Sequence, residues 1–158
     1  MIIVIGLSHK TAPLEIREKF ALGSEATPLV LSKLASRPEI EECMFLSTCN
    51  RVEIILKAKM RSNDERDTSA ASQAARRVLA EAAGLQEPER MDAYFYEHQG
   101  DGALLHILRV ASSLDSMVLG EPQILGQFKS AYELARSAGT VPGTLGRFLP
   151  RVIATAKR

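Results

Sequence analysis

The chain has 158 residues, a formal net charge of +1 and an apolar fraction of 46%. That length allows one compact domain or two small lobes, and the near-zero charge excludes a global field that demands an anionic partner, leaving local basic patches. No apolar stretch reaches the ~18 residues needed to cross a bilayer, and the opening "MIIVIGLSHK" lacks the basic n-region of a secretion signal, so a cytoplasmic protein with no membrane association is expected.

"IIVIGL" (2–7) is a continuous Ile/Val-rich run and reads as a buried first strand. After the polar turn "SHKTAP", Thr11 offers a cap and Pro13 a first-turn residue for a helix through about Leu22. Thr27 and Pro28 repeat the start signal, with Leu29, Leu31, Leu34 and Ala35 as the helical stripe and a stop before Pro38. "CMFLS" (43–47) reads as a second buried strand. Past Arg51, Val52, Ile54, Leu56 and Ala58 alternate with Glu53, Ile55, Lys57 and Lys59, the pattern of a strand with one covered face. The two strands flank "TCN", which predicts a hairpin with Cys49 at its tight end.

A polar loop over 59–69 leads to an alanine-rich helix over 70–84 with Gly84 at its C-cap. "MDAYFYEHQ" (91–99) predicts the last strand, with Tyr94, Tyr96 and His98 on one face. The order β-α-β-β-α-β, its first helical segment broken in two, predicts an α+β fold: a ferredoxin-like split sheet with helices on one face. The opposite face then needs a cover or a ligand. From residue 100 the chain reads as helix. Leu104, Leu105, Leu108, Ala111 and Leu114 form one stripe; Ile124, Leu125, Phe128, Ala131 and Ala135 a second; Leu145, Phe148, Leu149, Val152 and Ala156 a third. Gly120 and Pro122 mark a break between the first two. The expected organisation is therefore an α/β subdomain over 1–99 and a helical subdomain over 100–158. The last helix carries no stop signal and is expected to continue into a further segment.

Cys49 admits two readings from its surroundings. It is a small residue in a turn, or it is a nucleophile, which requires a nearby cation to populate the thiolate at neutral pH. Arg51, two positions on, could serve that thiolate or clamp a substrate carboxylate bidentately, and Thr48, Asn50 and the loop amides offer oxyanion donors. Cys43 lacks polar neighbours and reads as core. With the cysteines only six positions apart and no secretion signal, reduced thiols are expected. His98, at a strand end, is either a surface residue or a group able to move a proton at neutral pH. His9 in a turn and His106 on a helix carry weaker signals, and the scattered histidines and cysteines have no metal-ligand spacing. Arg147, Arg151, Lys157 and Arg158 lie close together, with no acid between 142 and 158. They could track phosphates or form the wet face of a helix.

Three long segments, "GLSHKTAPLEIREKF", "LSTCNRVE" and "RVASSLDSMVLGEPQILGQFKSAYELARSAG", occur in this order and span nearly the whole chain. Together they resemble the N-terminal catalytic domain of glutamyl-tRNA reductase, the first enzyme of the tetrapyrrole (haem) pathway that starts from glutamate. The resemblance implies an oxidoreductase that takes glutamyl-tRNA and NADPH and releases glutamate-1-semialdehyde. It implies that Cys49 is the nucleophile that forms a thioester, and that His98 is important for activity. It implies that Thr48, Asn50, Arg51, Ser116, Glu121, Pro122, Gln123 and Gln127 line the glutamate pocket, with Arg51 on the side-chain carboxylate. Glu53 follows the same motif, with a supporting role.

On the residues, "GDGALL" lacks the third glycine of a G-x-G-x-x-G motif; the same resemblance implies that the last helix is the start of a long connecting helix and that the NADPH-binding domain and the dimerisation domain lie outside this chain. It further implies a homodimeric full-length enzyme with no metal, a downstream aminomutase as partner, a plastid location in a plant source, and a monomeric 158-residue piece. Three other readings stay open on the residues: a non-catalytic tRNA-binding module, a thiol-dependent glutamyl-tRNA esterase when the piece is isolated, and a general cysteine hydrolase using Cys49 and His98.

Overall fold

A computed structural model describes residues 1–59, 68–117, 119–120 and 122–158. The expected loop over 59–69 therefore falls mostly outside the described residues, as does Glu121. Four strands, β1 (Ile2–Ser8), β2 (Ile40–Ser47), β3 (Arg51–Ala58) and β4 (Tyr96–Gln99), form one sheet in the order β2-β3-β1-β4. Every neighbouring pair is antiparallel. Helices α1 (Leu14–Phe20) and α2 (Thr27–Ala35) link β1 to β2, and α3 (Ser69–Ala82) lies between β3 and β4. This is the split β-α-β-β-α-β arrangement that the element order predicts.

Register divides the side chains between two faces, because residues directly opposite across antiparallel strands point the same way. Cys43 sits on the first face and directs its thiol toward the carbonyl of Leu31 in α2. Ile54 and Leu56 share that face with it, and α1, α2 and α3 cover it. On the second face, Gly6 stands between Glu53 and Tyr96, and Val4 between Ile55 and His98. Here α4 (Gly100–Ala111), α5 (Pro122–Ser137) and α6 (Thr144–Ala156) supply the cover. β3 is accordingly buried on both faces, Glu53 and Ile55 included, where its alternation suggested one wet face. Alternation in sequence marked a change of chemistry between faces, and the polar residue Glu53 finds partners inside the protein through Oε1.

Helix boundaries follow their local signals. Pro28 sits in the first turn of α2, and Gly84 adopts a φ of 70° just past α3, where Leu85 N–H donates to Ala80 O at 3.0 Å. That is the left-handed C-terminal closure glycine favours. Two helical stripes shift. In α4 the core positions are Ala103, Ile107, Val110 and Ala111, while Leu105 is 51% exposed and Leu114, beyond the helix end, is 63% exposed. In α2, Leu29 faces solvent and Val30 is buried instead. Bulk leucines drew the expected stripe one position away from smaller residues that fit closer to the sheet. The strand expected from Met91 starts later: Pro88–Tyr94 is a 3-10 helix and only Tyr96–Gln99 joins the sheet. Pro88 fixes a helical φ at its start.

Two polar ties join the second set of helices to β2. Glu42 is buried, and its carboxylate accepts the backbone N–H of Gly143 (2.9 Å), Thr144 (2.6 Å) and Leu145 (3.0 Å). These are N–H groups at the start of α6, which have no partner within the helix, and the negative charge also meets the positive end of the helix. Thr140, after α5, accepts the Cys43 N–H at 2.9 Å and donates its hydroxyl to Cys43 O at 2.7 Å. Glu42→Ala removes three acceptor contacts at once. It is expected to lower the unfolding free energy by roughly 2–3 kcal/mol, read from urea denaturation, with Glu42→Gln losing less because one acceptor oxygen remains.

Candidate active site

The hairpin between β2 and β3 is organised by Thr48. Its Oγ1 accepts the backbone N–H of both Asn50 and Arg51 at 3.2 Å, and its own N–H donates to Arg51 O at 2.8 Å. This side-chain-to-backbone turn uses two of the loop amides that could have served as oxyanion donors. It leaves Cys49 exposed at the apex, whereas Cys43 is buried. Burial pushes the Cys43 thiol up to about 11, with the Glu42 charge adding to the rise, so Cys43 is inert at neutral pH. The turn after β1 packs beside the hairpin: His9 N–H donates to Asn50 O at 2.9 Å. Cys49 meets a cation from an unexpected source. Arg17, on α1, donates from Nη1 to Cys49 O at 2.9 Å and from Nε to Ala12 O at 3.2 Å.

Arg51, expected to face the thiol or a substrate, is only 2% exposed. Arg51 and Glu53 are two residues apart on one strand and so share a face. The Arg51 Nη1 donates to Glu53 Oε1 at 2.9 Å. Its Nη2 donates to the Asp115 carbonyl and, at 3.0 Å, to Asp115 Oδ2. Lys10 pairs with the same Asp115 through Oδ1. Asp115 thus presents to Arg51 a carboxylate of the kind expected from a substrate. Burial works against the Arg51 charge, but Glu53 and the other acceptors outweigh it and raise its pKa. Burial would raise Asp115, but Lys10 and Arg51 hold it below the usual carboxylate range.

Glu53 is the hub. It is fully buried, and its Oε1 also accepts from the Tyr96 hydroxyl and lies 2.6 Å from His106 Nε2. Burial alone would raise its pKa; the His106 hydrogen bond and the charges of His106 and Arg51 hold it down instead. The Tyr96 phenol moves upward, through burial and the Glu53 charge, so it remains a neutral donor. A Cβ on Gly6 would lie within 2.7 Å of Glu53 Cγ and closer still to Val52 O, so glycine on β1 is what makes room for this carboxylate.

His98 is half-buried and stacks on His106, with ring centroids 4.4 Å apart. Burial first, then the His106 charge, lowers its pKa from 6.5, against the opposing charges of Glu53 and Asp115. His98 is therefore neutral at pH 7. It opens onto a cavity of about 410 Å³ whose wall includes Ser8, Lys10, Tyr96, His106, Arg109 and Asp115.

Gln123 and Gln127, one turn apart on α5, line a second cavity of about 450 Å³ with Phe45, Ser47, Ser130 and Leu134. Pro122 is exposed at the start of α5, and Ser116 is half-buried next to Asp115. Of the expected site residues, Gln123 and Gln127 line one cavity and His98 lines the other, while Thr48, Cys49, Asn50, Arg51, Ser116 and Pro122 are wall residues of neither. No group of three or more His, Cys, Asp or Glu suited to a metal occurs among the described residues. Nor is any described helix long and apolar enough to cross a membrane.

The chain matches the family "Glutamyl-tRNAGlu reductase, N-terminal domain" over residues 5–158. This chain belongs to that family. Among curated relatives, the glutamyl-tRNA reductase of Syntrophotalea carbinolica is 47% identical over 156 residues, covering 99% of this chain and 33% of the relative. That of Myxococcus xanthus is 46% identical over 157 residues, with 99% and 33% covered. Glutamyl-tRNA reductase from Methanopyrus kandleri has a similar solved structure: TM-score 0.70, 27% identity, 99% of this chain and 33% of that one. The chain thus spans about a third of the length of these glutamyl-tRNA reductases.

The motifs around Cys49 and the α4–α5 segment carried the family assignment, while Glu53 in its central role, His106, Asp115 and Arg17 were missed. Glu53 had a local signal, its two-residue spacing from Arg51. His106, 53 positions from Glu53, had none.

The shifted groups give this domain a definite pH dependence. His9, lowered by burial and Arg51, and His98 both bind their proton more weakly folded than unfolded. As pH falls through their usual value of 6.5, the unfolded chain takes up protons that the native state does not, and stability is lost. Glu53 and Asp115, also depressed, extend the loss into the acid range. The urea midpoint is expected to be lower at about pH 5 than at about pH 7.5, and His98→Gln should flatten part of that slope.

Proposed function

We propose that this chain carries out the acyl-transfer half of glutamyl-tRNA reduction. The Cys49 sulfur attacks the glutamyl ester carbon, a C–S bond forms, the C–O bond to the terminal ribose breaks, and tRNA leaves. An ester is a poor hydride acceptor and its reduced adduct expels alkoxide badly; a thioester is more electrophilic and loses thiolate readily. One difficult step becomes two easier ones. His98, neutral at pH 7, takes the thiol proton and returns it to the departing ribose oxygen. Arg17 holds the backbone carbonyl of Cys49 and so fixes the hairpin apex.

The observation that carries this reading is the contrast between the two thiols: Cys43 is sealed under α2, while Cys49 is exposed at the tip of a hydroxyl-pinned hairpin. The turn paired to that hairpin also supplies Ser8 and Lys10 to the His98 cavity. Thr48, Asn50, Arg51, Ser116, Glu121, Pro122, Gln123 and Gln127 form the substrate-facing set in this proposal. For Arg51 to hold the glutamate side chain, the substrate carboxylate takes over the position of Asp115.

In a full-length enzyme, NADPH held by another region would supply the hydride that reduces the thioester. The residues of this chain do not fit that cofactor: a doubly wound dinucleotide site needs a parallel β-α-β unit, and all pairs in this sheet are antiparallel. Residues 1–99 carry the nucleophile in this reading, and residues 100–158 cover its sheet. The cofactor domain, the dimer contacts and any aminomutase contact belong to other regions of the full-length protein, in the cytoplasm or a plastid.

A tRNA-binding role accompanies the chemistry: Arg147 and Arg151 are exposed one turn apart on α6, and Lys157 and Arg158 are exposed beyond it. After mixing with glutamyl-tRNA, mass spectrometry is expected to find glutamate on Cys49 and not on Cys43. The isolated chain is expected to release free glutamate slowly and no semialdehyde, even with NADPH. Cys49→Ser should abolish the adduct while tRNA affinity stays within about twofold. Tight tRNA binding by the unsubstituted chain with neither adduct nor glutamate release leaves only the binding-module reading, and unchanged turnover in Cys49→Ser overturns the role of this thiol.

A further inference from the structure

Three elements bring together groups that no sequence motif joins. His106 reaches from α4 to stack on His98, with ring centroids 4.4 Å apart and planes 24° from parallel. Its Nε2 lies 2.6 Å from Oε1 of the fully buried Glu53. The Tyr96 ring stands 5.5 Å from both imidazoles, and its hydroxyl donates to the same Oε1.

We propose that His106 is a positioning residue for His98: Glu53 fixes the plane of the His106 ring through Nε2, and that ring fixes the orientation and proton uptake of the His98 imidazole at the cavity. The inference rests on reading His98 as the proton carrier at Cys49. An imidazole on a short edge strand has two rotatable torsions and a choice of tautomer. An ionised carboxylate accepts hydrogen bonds and cannot donate, so Glu53 selects the His106 form with hydrogen on Nε2. A carboxylate that orients an imidazole is a recurring device behind reacting groups. Here it acts one ring further back. Glu53 cannot drift, because Arg51 and Tyr96 hold the same oxygen and the sheet encloses the side chain.

The charged and titratable groups around His98 come from every neighbouring element: Tyr96 on its own strand, Arg51 and Glu53 on β3, His106 and Arg109 on α4, Asp115 after α4, and Lys10 after β1. Of these, His106 and Tyr96 make ring contacts with His98. His106 both shields His98 from water and, when charged, opposes its protonation.

Two substitutions separate the parts. His106→Gln keeps a donor for Glu53 and removes the ring. His106→Phe keeps a ring and removes the donor. In histidine-labelled protein followed by NMR, His106→Gln is expected to abolish the ring-current shift of His98. Both variants are expected to raise the His98 titration midpoint, Gln more than Phe. The acidic limb of the pH profile for Cys49 acylation should move up with it. The acylation rate at pH 7 should fall by on the order of tenfold, with KM for glutamyl-tRNA unchanged. A merely structural role would lower the active fraction and leave the limb in place. Folded variants whose His98 shifts and midpoint match the unsubstituted protein would overturn the proposal. If instead His98→Ala acylates at full rate while the His98 midpoint still follows residue 106, the proton-carrier reading falls and the positioning pair stands.

Discussion

A carboxylate with no access to water is stable inside a protein only if neighbouring donors replace what water gave it. Leaving such a charge without partners costs several kcal/mol. Glu53 gathers its donors on Oε1 alone, from Arg51, Tyr96 and His106, while Oε2 is buried without a hydrogen-bond partner among the described residues. The consequences spread outward. Arg51 is pulled under the sheet, α4 is held at a fixed rotation by His106, and β4 is tied to β3 across the intervening β1. Gly6 on β1 is the steric condition for all of it. The second face of the sheet is therefore joined to its helices by a charge network as well as by apolar packing.

That arrangement divides the labour at the hairpin end. The apolar core and the Glu42 contact to α6 keep the frame rigid, while Thr48 sets the turn that exposes Cys49. The polar network reaches the surface at Asp115 and His98, where a cavity begins. A rigid scaffold with its reactive candidate on a short, pinned loop is the common disposition of sites that must meet large partners. Asp115 completes the buried Arg51 guanidinium from within the chain, so that charge is paired inside the fold.

Legibility in the sequence followed the range of the interactions. β1 and the hairpin were readable because continuous Ile/Val runs and the short "TCN" interval are local signals. Pro28 and Gly84 marked a helix start and a helix end through backbone constraints that act within a turn. The strand beginning was misplaced because Tyr94, Tyr96 and His98 alternate, while Pro88 starts a 3-10 segment that runs through Tyr94. The α4 stripe slipped because leucine bulk outweighed the closer fit of Ala103 and Ile107 against the sheet. Around the hairpin, contacts within a few positions had local signals; those between segments far apart along the chain had none. Arg17, His106 and Asp115 gain their meaning only when the sheet brings the segments together.

The bond pair between Thr140 and Cys43 has an effect beyond anchoring α5. The outer margin of a sheet is a row of unpaired amides onto which another chain can zip, the route to domain exchange and fibrils. On β2 the middle of that row is already taken, both amide and carbonyl, by a threonine from the same molecule. On the other margin β4 offers only four residues, too short a template for stable foreign pairing. With both margins blunted, sheet extension by intermolecular strand pairing is disfavoured, and self-association is left to helices and loops.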